Sequence, residues 1–525
     1  MSAAVDAPDT TGTDPGAAGT VQLRLLIDGN WVPGNGGHLI SVNSSRPEEV
    51  VAEGGVAVLE DLDKAILAAQ GSQRAWSRTP IHERGAVLSR AAAALESQAD
   101  LLGLELSREE GKTLTEGRAE VLRAAQILRY FAAEGDRAAG EHFASPRPGE
   151  RILVTRKPLG VVGIVTPFNF PIAIPAWKIA PALVHGNAVV WKPASTVPLL
   201  AIRFADALIN AGLPAGVLNL IVGPGPLGTA LVQSPGVDAM SFTGSSGVGR
   251  ALAAQAAVRG IPMQGEMGGK NAALVLDDAD LDLASEQVLF GAFRSTGQKC
   301  TATSRLILAD SIADEFLERL TLRLGTWQTG DPVDPEVQMG PVINEAARRS
   351  ITSAIDTAVE AGAVAVAGTS AENPFAGTPG AFIAPTVLEL PAGQAGSANL
   401  AWREELFGPV LAVRRAATTE EAFGLAEESE FGLSAAVFTR DLATALEAVE
   451  ALDVGILHLN SESAGSDPHV PFGGSKKSSL GPKEQGGAAK DFYTHDNGLP
   501  PRVGTEAGSD VSHTFTNGRR RARLS

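Results

Sequence analysis

The single cysteine of the chain, Cys300, lies in a setting that favours chemistry over packing. It belongs to the sequence Gly-Gln-Lys-Cys-Thr and follows a predicted helix, Leu283–Phe293. An isolated cysteine is more often a buried structural residue. Here the cations of Arg294 and Lys299 are close in sequence, and nearby cations lower the pKa of a thiol and favour the thiolate. Cys300 is therefore a candidate nucleophile.

A nucleophile of this kind needs a base and a donor for the developing oxyanion, and two residues match these roles. Glu266 lies in Gln-Gly-Glu-Met-Gly-Gly-Lys-Asn, where burial at the end of an apolar strand would raise its pKa towards that of a general base. Asn169 follows the predicted strand Val161–Val165, and its amide could donate to an oxyanion. The alternatives are a surface glutamate at a strand end and an asparagine that only shapes a turn.

Two glycine-rich segments compete as a phosphate site. The first, Gly223–Gly228, matches G-x-G-x-x-G, but its two prolines lack the N–H groups that phosphate needs. The second, Phe242–Gly249, keeps every N–H, adds hydroxyl groups and opens a predicted helix, so it is preferred. Lys192 ends a further strand and could hold a ribose hydroxyl or a phosphate; otherwise it is a solvated lysine.

The elements that position these residues follow an α/β pattern. From Val161, short β-branched runs alternate with helical segments about every 25–30 residues, which predicts parallel strands with helices on both faces. The runs in this series are Val161–Val165, Ala188–Trp191, Val217–Val222, Ala239–Phe242 and Ala272–Leu276. A helical region precedes them, and a second α/β region follows from Leu281 to Gly474. Parallel sheets bind ligands beyond the carboxyl ends of their strands.

Composition excludes several classes of protein. The 525 residues predict more than one domain, and the net charge of −17 disfavours a nucleic-acid or anionic-membrane partner. One cysteine excludes an intrachain disulfide, the apolar stretch Ile172–Val184 is too short and interrupted to span a bilayer, and residues 1–20 do not resemble a signal peptide. The sequence therefore predicts a cytoplasmic protein.

Seven ordered motifs identify a family resemblance over most of the chain, from about Leu25 to Leu499. They are T-P-F-N-F-P, W-K-P-A, F-T-G-S, E-M-G-G-K-N, G-Q-K-C, E-E-L-F-G-P-V and P-F-G-G. The chain resembles the aldehyde dehydrogenase superfamily, the NAD(P)-dependent, non-phosphorylating enzymes. The C-terminal motifs most resemble the α-ketoglutaric semialdehyde branch.

The resemblance implies a role for each matching residue. Cys300 would be the nucleophile, Asn169 would form the oxyanion hole with the Cys300 N–H, and Glu266 would activate the hydrolytic water. Lys178 matches a family lysine near the site, and Glu484 resembles a glutamate of the family's water relay. The implied cofactor-binding residues are Thr166, Lys192, Ser195, Gly225, Phe242, Gly244, Ser245, Glu405 and Phe407. The implied substrate-binding residues are Phe170, Trp177, Arg294 and Phe472. No metal site is predicted.

The resemblance also implies two doubly wound Rossmann-like domains and a small β extension that joins subunits into a homodimer or homotetramer. The expected divisions are a disordered arm (1–20), a cofactor-binding domain (21–142 and 161–270), a catalytic domain (271–475), an oligomerisation extension (143–160 and 476–503) and a flexible tail (504–525).

The expected reaction is oxidation of an aldehyde to an acid through a thioester on Cys300, with an aldehyde that carries a distal carboxylate, such as 2,5-dioxopentanoate, as substrate. Arg294 would clamp that carboxylate, or else form a structural ion pair. NAD or NADP is the expected cofactor. Many NAD-preferring relatives carry a glutamate where this chain has Ser195, so NADP is favoured. The alternatives are a CoA-acylating enzyme, against which Glu266 argues, and a non-catalytic relative.

Overall fold

The computed structural model describes residues 19–148, 150–368, 375 and 377–499. The first domain is built on an eight-stranded sheet. Its strands, in spatial order, are Ser479–Leu480, Met263–Glu266, Ala239–Thr243, Val161–Val165, Ala188–Lys192, Leu218–Leu220, Leu25–Ile27 and Asn30–Val32. The five strands from Met263–Glu266 to Leu218–Leu220 are parallel, and the outer ones are antiparallel.

The strand order reverses at Val161–Val165. This strand pairs with Ala188–Lys192 on one side and with Ala239–Thr243 on the other, both in parallel register. The chain therefore leaves neighbouring strands in opposite directions, which opens a crevice at their carboxyl ends. A doubly wound sheet is expected to bind its ligand at this position.

Helices cover both faces of the first sheet. They are Leu59–Arg78, Ile81–Ser97, Ala99–Glu110, Leu114–Ala132, Ala173–Val184, Pro198–Asn210, Pro226–Gln233 and Ser246–Arg259, with a short turn of 3-10 helix at Ala133–Asp136. The central strands Val161–Val165 and Ala188–Lys192 are almost wholly buried, as strands covered on both faces must be. One continuous hydrophobic core joins the sheet to these helices.

The second domain is built on a seven-stranded sheet with a hydrophobic core on each face. Its strands, in spatial order, are Val364–Ala367, Thr386–Glu389, Val410–Ala416, Thr303–Ala309, Asn271–Val275, Ser434–Phe438 and Ile456–Leu459. Its helices are Leu281–Phe293, Ala313–Leu324, Glu345–Glu360, Gln394–Ala398, Leu400–Arg403, Thr419–Glu427 and Leu442–Ala451, with 3-10 turns at Arg294–Gly297 and Asp310–Ile312.

One predicted strand lies in a different sheet from the series with which it was grouped, although the division expected at 270/271 separates it from that series. The run Ala272–Leu276 was grouped with the first series, but the strand Asn271–Val275 lies in the second sheet. Its place in the first sheet is taken by Met263–Glu266, which pairs in parallel with Ala239–Thr243. The sequence of this strand, Met-Gln-Gly-Glu, is polar and contains no β-branched residue, so a search for β-branched runs could not reveal it.

A separate three-stranded antiparallel sheet contains Gly140–Ala144, Arg151–Pro158 and Thr494–Leu499. The expected oligomerisation extension covers 143–160 and 476–503, but only Thr494–Leu499 of its second segment belongs to this three-stranded sheet. Ser479–Leu480 lies at the edge of the eight-stranded sheet, and the helix Ala488–Tyr493 packs into the first core, because its aromatic residues are buried there. The predicted arm and tail lie outside the described residues, apart from residues 19 and 20.

Two small sheets complete the fold. Val21–Gln22, Val50–Gly55 and His38–Val42 form one, and Phe431–Gly432 with Ser475–Lys476 forms the other. Within the described part of the chain, no helix combines the length and the apolar character needed to cross a membrane.

Candidate active site

A cavity of about 480 Å³ lies at the carboxyl ends of the two strands where the first sheet reverses its order. Both domains contribute to its walls. The lining residues are Val165, Thr166, Pro167, Phe168, Asn169, Ala194, Phe242, Thr243, Gly244, Ser245, Val248, Met267, Gly268, Cys300, Glu405 and Phe407. The structure therefore brings together Cys300, Asn169 and six of the nine predicted cofactor residues.

Cys300 is half-buried at this cavity, and its backbone is firmly held. The Asn271 side chain donates from Nδ2 to the carbonyl oxygens of Cys300, at 2.7 Å, and of Ala302, at 2.9 Å. Two residues of the preceding turn, Ser295 and Thr296, adopt left-handed backbone conformations with φ of 53° and 55°. Such conformations are strained for these residues and persist only where the surroundings impose them.

The expected activation of the thiol by neighbouring cations is wrong. Lys299 Nζ lies 3.6 Å from a carboxylate oxygen of Glu462, and Arg294 pairs with the same carboxylate at 3.5 Å while its guanidinium stacks 3.7 Å from the centre of the Phe290 ring. Burial, together with the nearby carboxylates of Glu405 and Glu266, raises the pKa of Cys300 to about 12. The resting sulfur is therefore a protonated thiol.

Asn169 is buried and joins the two domains at the cavity. Its side-chain amide donates from Nδ2 to the carbonyl oxygen of Gln298, at 2.9 Å, two residues before Cys300. The backbone carbonyl oxygen of Asn169 accepts a hydrogen bond from the ammonium of Lys112. The side chain predicted to hold an oxyanion and the candidate nucleophile thus line the same space.

Glu266 ends a strand and is buried, as predicted, but the strand Met263–Glu266 is polar and not apolar. The side chain lies beside the C-terminal segment. Its carboxylate accepts a 2.5 Å hydrogen bond from Ser479 Oγ and a longer one, 3.4 Å, from Gln264 Nε2. Burial raises its pKa well above the ordinary range, and the carboxylate of Glu484 raises it further. The hydrogen bond from Ser479 and the charge of Lys178 oppose this shift without reversing it.

Lys178 is fully buried and connects the candidate base to the rest of the first domain. Its ammonium forms an ion pair with Glu484 and donates to Ser241 Oγ at 3.0 Å and to Gln264 Oε1 at 3.2 Å. Gln264 in turn donates to Glu266, so the two carboxylates share one hydrogen-bonded network. The predicted relay residues are therefore in contact through Gln264.

The wall opposite Cys300 has the features of a dinucleotide site. Ser245 occupies the N-cap position of helix Ser246–Arg259 without a side-chain cap hydrogen bond, and the free N–H groups and the helix dipole there favour phosphate. The buried hydroxyl oxygens Thr243 Oγ1 and Ser246 Oγ have no hydrogen-bond partner among the described residues. Unsatisfied buried hydroxyls beside a helix N-terminus fit a phosphate group that would accept from them.

Glu405 and Phe407 close the cavity from the second domain. Glu405 Oε1 accepts from the Gly269 N–H at 2.9 Å, and burial raises its pKa to about 7. A side chain at Gly268 would bring its Cβ to 2.0 Å from Glu405 Oε2, so the carboxylate lies against bare backbone. Phe407 packs edge-on against Phe168, with ring centres 5.7 Å apart.

Three predicted cofactor residues lie beside the cavity and not in its wall. Lys192 is buried, which lowers its pKa to about 8, and among the described residues its Nζ donates only to the Pro193 carbonyl oxygen, at 3.3 Å. Ser195 Oγ donates to the Gly223 carbonyl oxygen at 2.6 Å. Gly225 is exposed at the start of helix Pro226–Gln233.

The predicted substrate residues do not line this cavity. Trp177 and Phe472 stack with ring centres 5.7 Å apart, and Phe170 lies beneath the ammonium of Lys112, 3.8 Å from the ring centre. Arg294 is 43% exposed and engaged by Glu462. The structure thus places an aromatic pair together and leaves the arginine with an internal carboxylate.

Sequence reasoning missed two groups of residues. Phe168, Thr243, Met267 and Gly268 line the cavity. Lys112 and the residues around it contact the loops of Asn169 and Cys300. A readable signal existed for the second group, because Thr113 and Glu116 form a capping box, T-x-x-E, at the start of helix Leu114–Ala132.

Comparisons with known proteins agree with this geometry. A family model described as "Aldehyde dehydrogenase family" matches residues 31–497. The alpha-ketoglutaric semialdehyde dehydrogenase of Bacillus subtilis is 40% identical over 472 residues, which cover 89% of this chain and 96% of that relative.

Solved structures agree as well. An NAD-dependent aldehyde dehydrogenase from Sinorhizobium meliloti superposes with a TM-score of 0.88 at 32% identity, covering 96% of this chain and 99% of the other. An NADP-dependent enzyme from E. coli superposes with a TM-score of 0.87 at 32% identity, covering 92% and 98%. The predicted resemblance and fold class are confirmed: this chain belongs to the aldehyde dehydrogenase family and is an NAD(P)-dependent aldehyde dehydrogenase.

Proposed function

We propose that the protein oxidises an aldehyde carrying a distal carboxylate, such as 2,5-dioxopentanoate, to the corresponding acid, with Cys300 as the nucleophile. One observation carries this proposal: Cys300 and the oxyanion candidate Asn169 face a single cavity whose other wall is the N-terminus of helix Ser246–Arg259. The name of the Bacillus subtilis relative supports the substrate class, since α-ketoglutaric semialdehyde is 2,5-dioxopentanoate.

The residues of the chain divide the reaction into two halves. In the first, the Cys300 sulfur bonds to the carbonyl carbon, its proton passes to a base, and the Asn169 amide donates to the resulting oxyanion. Nicotinamide, when bound, supplies the acceptor for the hydride that this carbon loses as the thioester forms on Cys300. In the second, Glu266 takes a proton from water, which attacks the thioester, and the acid leaves as the thiol is restored.

The state of Glu266 sets the pH at which the second half runs. A carboxyl group acts as a base only when it has lost its proton, and burial raises the pKa of Glu266 well above the ordinary range. The active fraction therefore grows as pH rises through this raised pKa. The presence of a base in the network of Lys178 and Glu484 favours water over CoA as the acceptor of the acyl group.

For the cofactor, we propose that NADP is accepted and favoured. Ser195 carries no charge and donates to a backbone carbonyl oxygen, while the neighbouring ammonium of Lys192 pairs with no carboxylate in the part of the chain that the structure describes. A carboxylate at position 195 would repel a ribose 2′-phosphate, and the serine removes that repulsion.

For the substrate, we propose Arg294 as the group that binds the distal carboxylate. Its side chain is 43% exposed at the end of helix Leu281–Phe293, six residues before Cys300, and Glu462, at 3.5 Å, is its one carboxylate partner among the described residues. A substrate carboxylate would compete with Glu462 for this cation, so both residues set the affinity.

We also propose a cytoplasmic homodimer or homotetramer. Large apolar side chains are exposed on the three-stranded sheet, where Phe143 is 47% exposed, and on helix Leu442–Ala451, where Leu442 is 72% and Leu446 is 61% exposed. Exposed apolar residues grouped on one element are typical of subunit interfaces.

The first prediction tests the nucleophile. Cys300→Ser is expected to lower NAD(P)H production at least about a thousandfold, because the hydroxyl has no thiolate-like nucleophilicity here. Cofactor affinity, measured by fluorescence titration, is expected to stay unchanged. Mass spectrometry of enzyme quenched during turnover should show an acyl adduct on Cys300 of the parent protein alone. An adduct elsewhere would refute the assignment.

The second prediction tests the base. Glu266→Gln is expected to lower steady-state kcat about a hundredfold while leaving one rapid burst of NAD(P)H per site, because the thioester forms but is not hydrolysed. In the parent protein kcat should rise with pH through the raised pKa of Glu266, and the variant should lose that rise. Glu404→Gln, at the exposed neighbour of Glu405, is the matched control. A variant that turns over steadily without a burst would exclude Glu266.

The third prediction concerns cofactor choice. Ser195→Glu is expected to raise KM for NADP about tenfold or more and to change KM for NAD little, because the new carboxylate repels only the 2′-phosphate. Ser195→Ala controls for loss of the hydrogen bond to Gly223. Initial rates with both cofactors measure the effect, and equal changes for the two would reject the proposal.

The fourth prediction concerns the substrate. Arg294→Ala is expected to raise KM for 2,5-dioxopentanoate roughly tenfold to a hundredfold, the usual worth of a hydrogen bond to a charged group, and to leave KM for a neutral aldehyde of similar length unchanged. Glu462→Gln should shift KM for the acid in the opposite direction by freeing the guanidinium. Parallel shifts for both aldehydes would assign Arg294 to structure instead.

A further inference from the structure

We propose that Lys112 and Glu116, in and just after the turn between helices Ala99–Glu110 and Leu114–Ala132, are positioning residues that hold Asn169 opposite Cys300. This inference rests on the proposed function, in which Asn169 stabilises the oxyanion. Neither residue lines the cavity, so neither is a catalytic residue. Each acts on one of the two loops that carry the reacting groups.

Lys112 holds the loop of Asn169 from behind. Its side chain is 2% exposed, and its ammonium donates to the carbonyl oxygen of Asn169 and to Glu120 Oε2, the latter at 2.7 Å. The same ammonium lies 3.8 Å from the centre of the Phe170 ring, within the range of a cation–π contact. A buried cation with three such partners has a defined position, and so has the backbone that it contacts.

Glu120 extends this contact to the far end of the same loop. Its second oxygen, Oε1, accepts hydrogen bonds from the N–H groups of Ile172, at 3.1 Å, and Ala173, at 3.2 Å. These groups open helix Ala173–Val184 and would otherwise lack partners. Lys112 and Glu120 therefore form hydrogen bonds with both ends of the turn that contains Asn169.

Lys112 lies among buried carboxyl groups. Burial raises the pKa of Glu110 to about 8. Burial alone would lower the pKa of Lys112, but the carboxylates of Glu110 and Glu120 outweigh it and raise that pKa. The ion pair between Lys112 and Glu120 is itself buried, so water screens it little.

Glu116 holds the loop of Cys300. Its Oε1 accepts from the N–H of Ser295 at 2.8 Å and from Ser295 Oγ at 3.1 Å, while Oε2 accepts from the N–H of Thr113 at 3.2 Å. Ser295 and Thr296 have the left-handed conformations described above. The two hydrogen bonds from Ser295 to the Glu116 carboxylate help to hold these conformations in place. The bond from Asn169 to Gln298 then closes the arrangement.

A double-mutant cycle separates positioning from simple stabilisation of the fold. Lys112→Met, Asn169→Ala and the double variant are compared by the rate of the first burst of NAD(P)H with 2,5-dioxopentanoate. Loss of an oxyanion donor costs on the order of a hundredfold or more, and misplacement of a catalytic group by about 1 Å costs a similar factor. Lys112→Met is therefore expected to slow the burst at least about tenfold in the parent and less than about twofold when Asn169 is already alanine.

Two controls test whether the effect is specific to this cluster. Glu105→Gln removes another buried carboxylate of helix Ala99–Glu110, one that pairs with Arg203 and contacts neither loop, and should leave the burst rate unchanged. Affinity for NADP, measured by fluorescence, should stay the same in all variants. If Lys112→Met does not fold, Glu120→Gln replaces it in the cycle, because Glu120 pairs with Lys112 and accepts from the N–H groups of Ile172 and Ala173. Glu116→Ala acts on the loop of Cys300 and is expected to slow the burst in both backgrounds. Its control is Thr113→Ala, which removes the helix cap and keeps the contact with Ser295.

The outcomes are distinct. Slowing by Lys112→Met that persists equally in the Asn169→Ala background, or an unchanged burst rate in the single variant, would overturn the positioning role. An unchanged burst rate in Asn169→Ala alone would instead refute the proposed function of Asn169, whatever Lys112 does.

Discussion

The hydrogen bond from the Asn169 amide to the Gln298 carbonyl is the interaction on which the site depends. Asn169 belongs to the loop after the central strand of the first sheet, and Gln298 belongs to the turn before Cys300 in the second domain. Neither domain contains a complete site. The cavity has its helix N-terminus from one domain and its thiol from the other, so their relative placement sets the distance between the reacting groups.

Buried charge is the second constraint. Lys178, Lys112 and Glu266 are all removed from water, and an isolated buried charge is costly. The structure offsets this cost by pairing each ammonium with a carboxylate and by leaving other carboxyl groups with raised pKa values, as Glu110 and Glu266 show. The same pairing ties helices of the first domain to the loops that they support, so stability and catalytic geometry rest on shared contacts.

Much of this could be read from the sequence, and the failures have physical causes. The strand Val161–Val165 was predicted to the residue, because the sequence of a buried parallel strand is a continuous apolar run. The strand that ends at Glu266 was expected to be apolar and was missing from the predicted series, because its sequence, Met-Gln-Gly-Glu, is polar. Cys300, Asn169, Gly244 and Ser245 were found through local motifs and do meet at one cavity.

The surroundings of the thiol were misjudged. Its sequence neighbours Arg294 and Lys299 pair with Glu462, whereas the carboxylates that act on Cys300 come from distant segments. Lys112 was missed because its partners are 8 and 57 residues away.

The protonated state of the Cys300 thiol has a consequence beyond turnover. Peroxides and alkylating reagents attack the thiolate form of cysteine, so a sulfur whose pKa is raised to about 12 is a poor target for them in the resting protein. The chain has no second cysteine that could form an intrachain disulfide and so rescue an oxidised one. Burial beside two carboxylates therefore disfavours reactions of this sulfur that proceed through its thiolate in the resting protein.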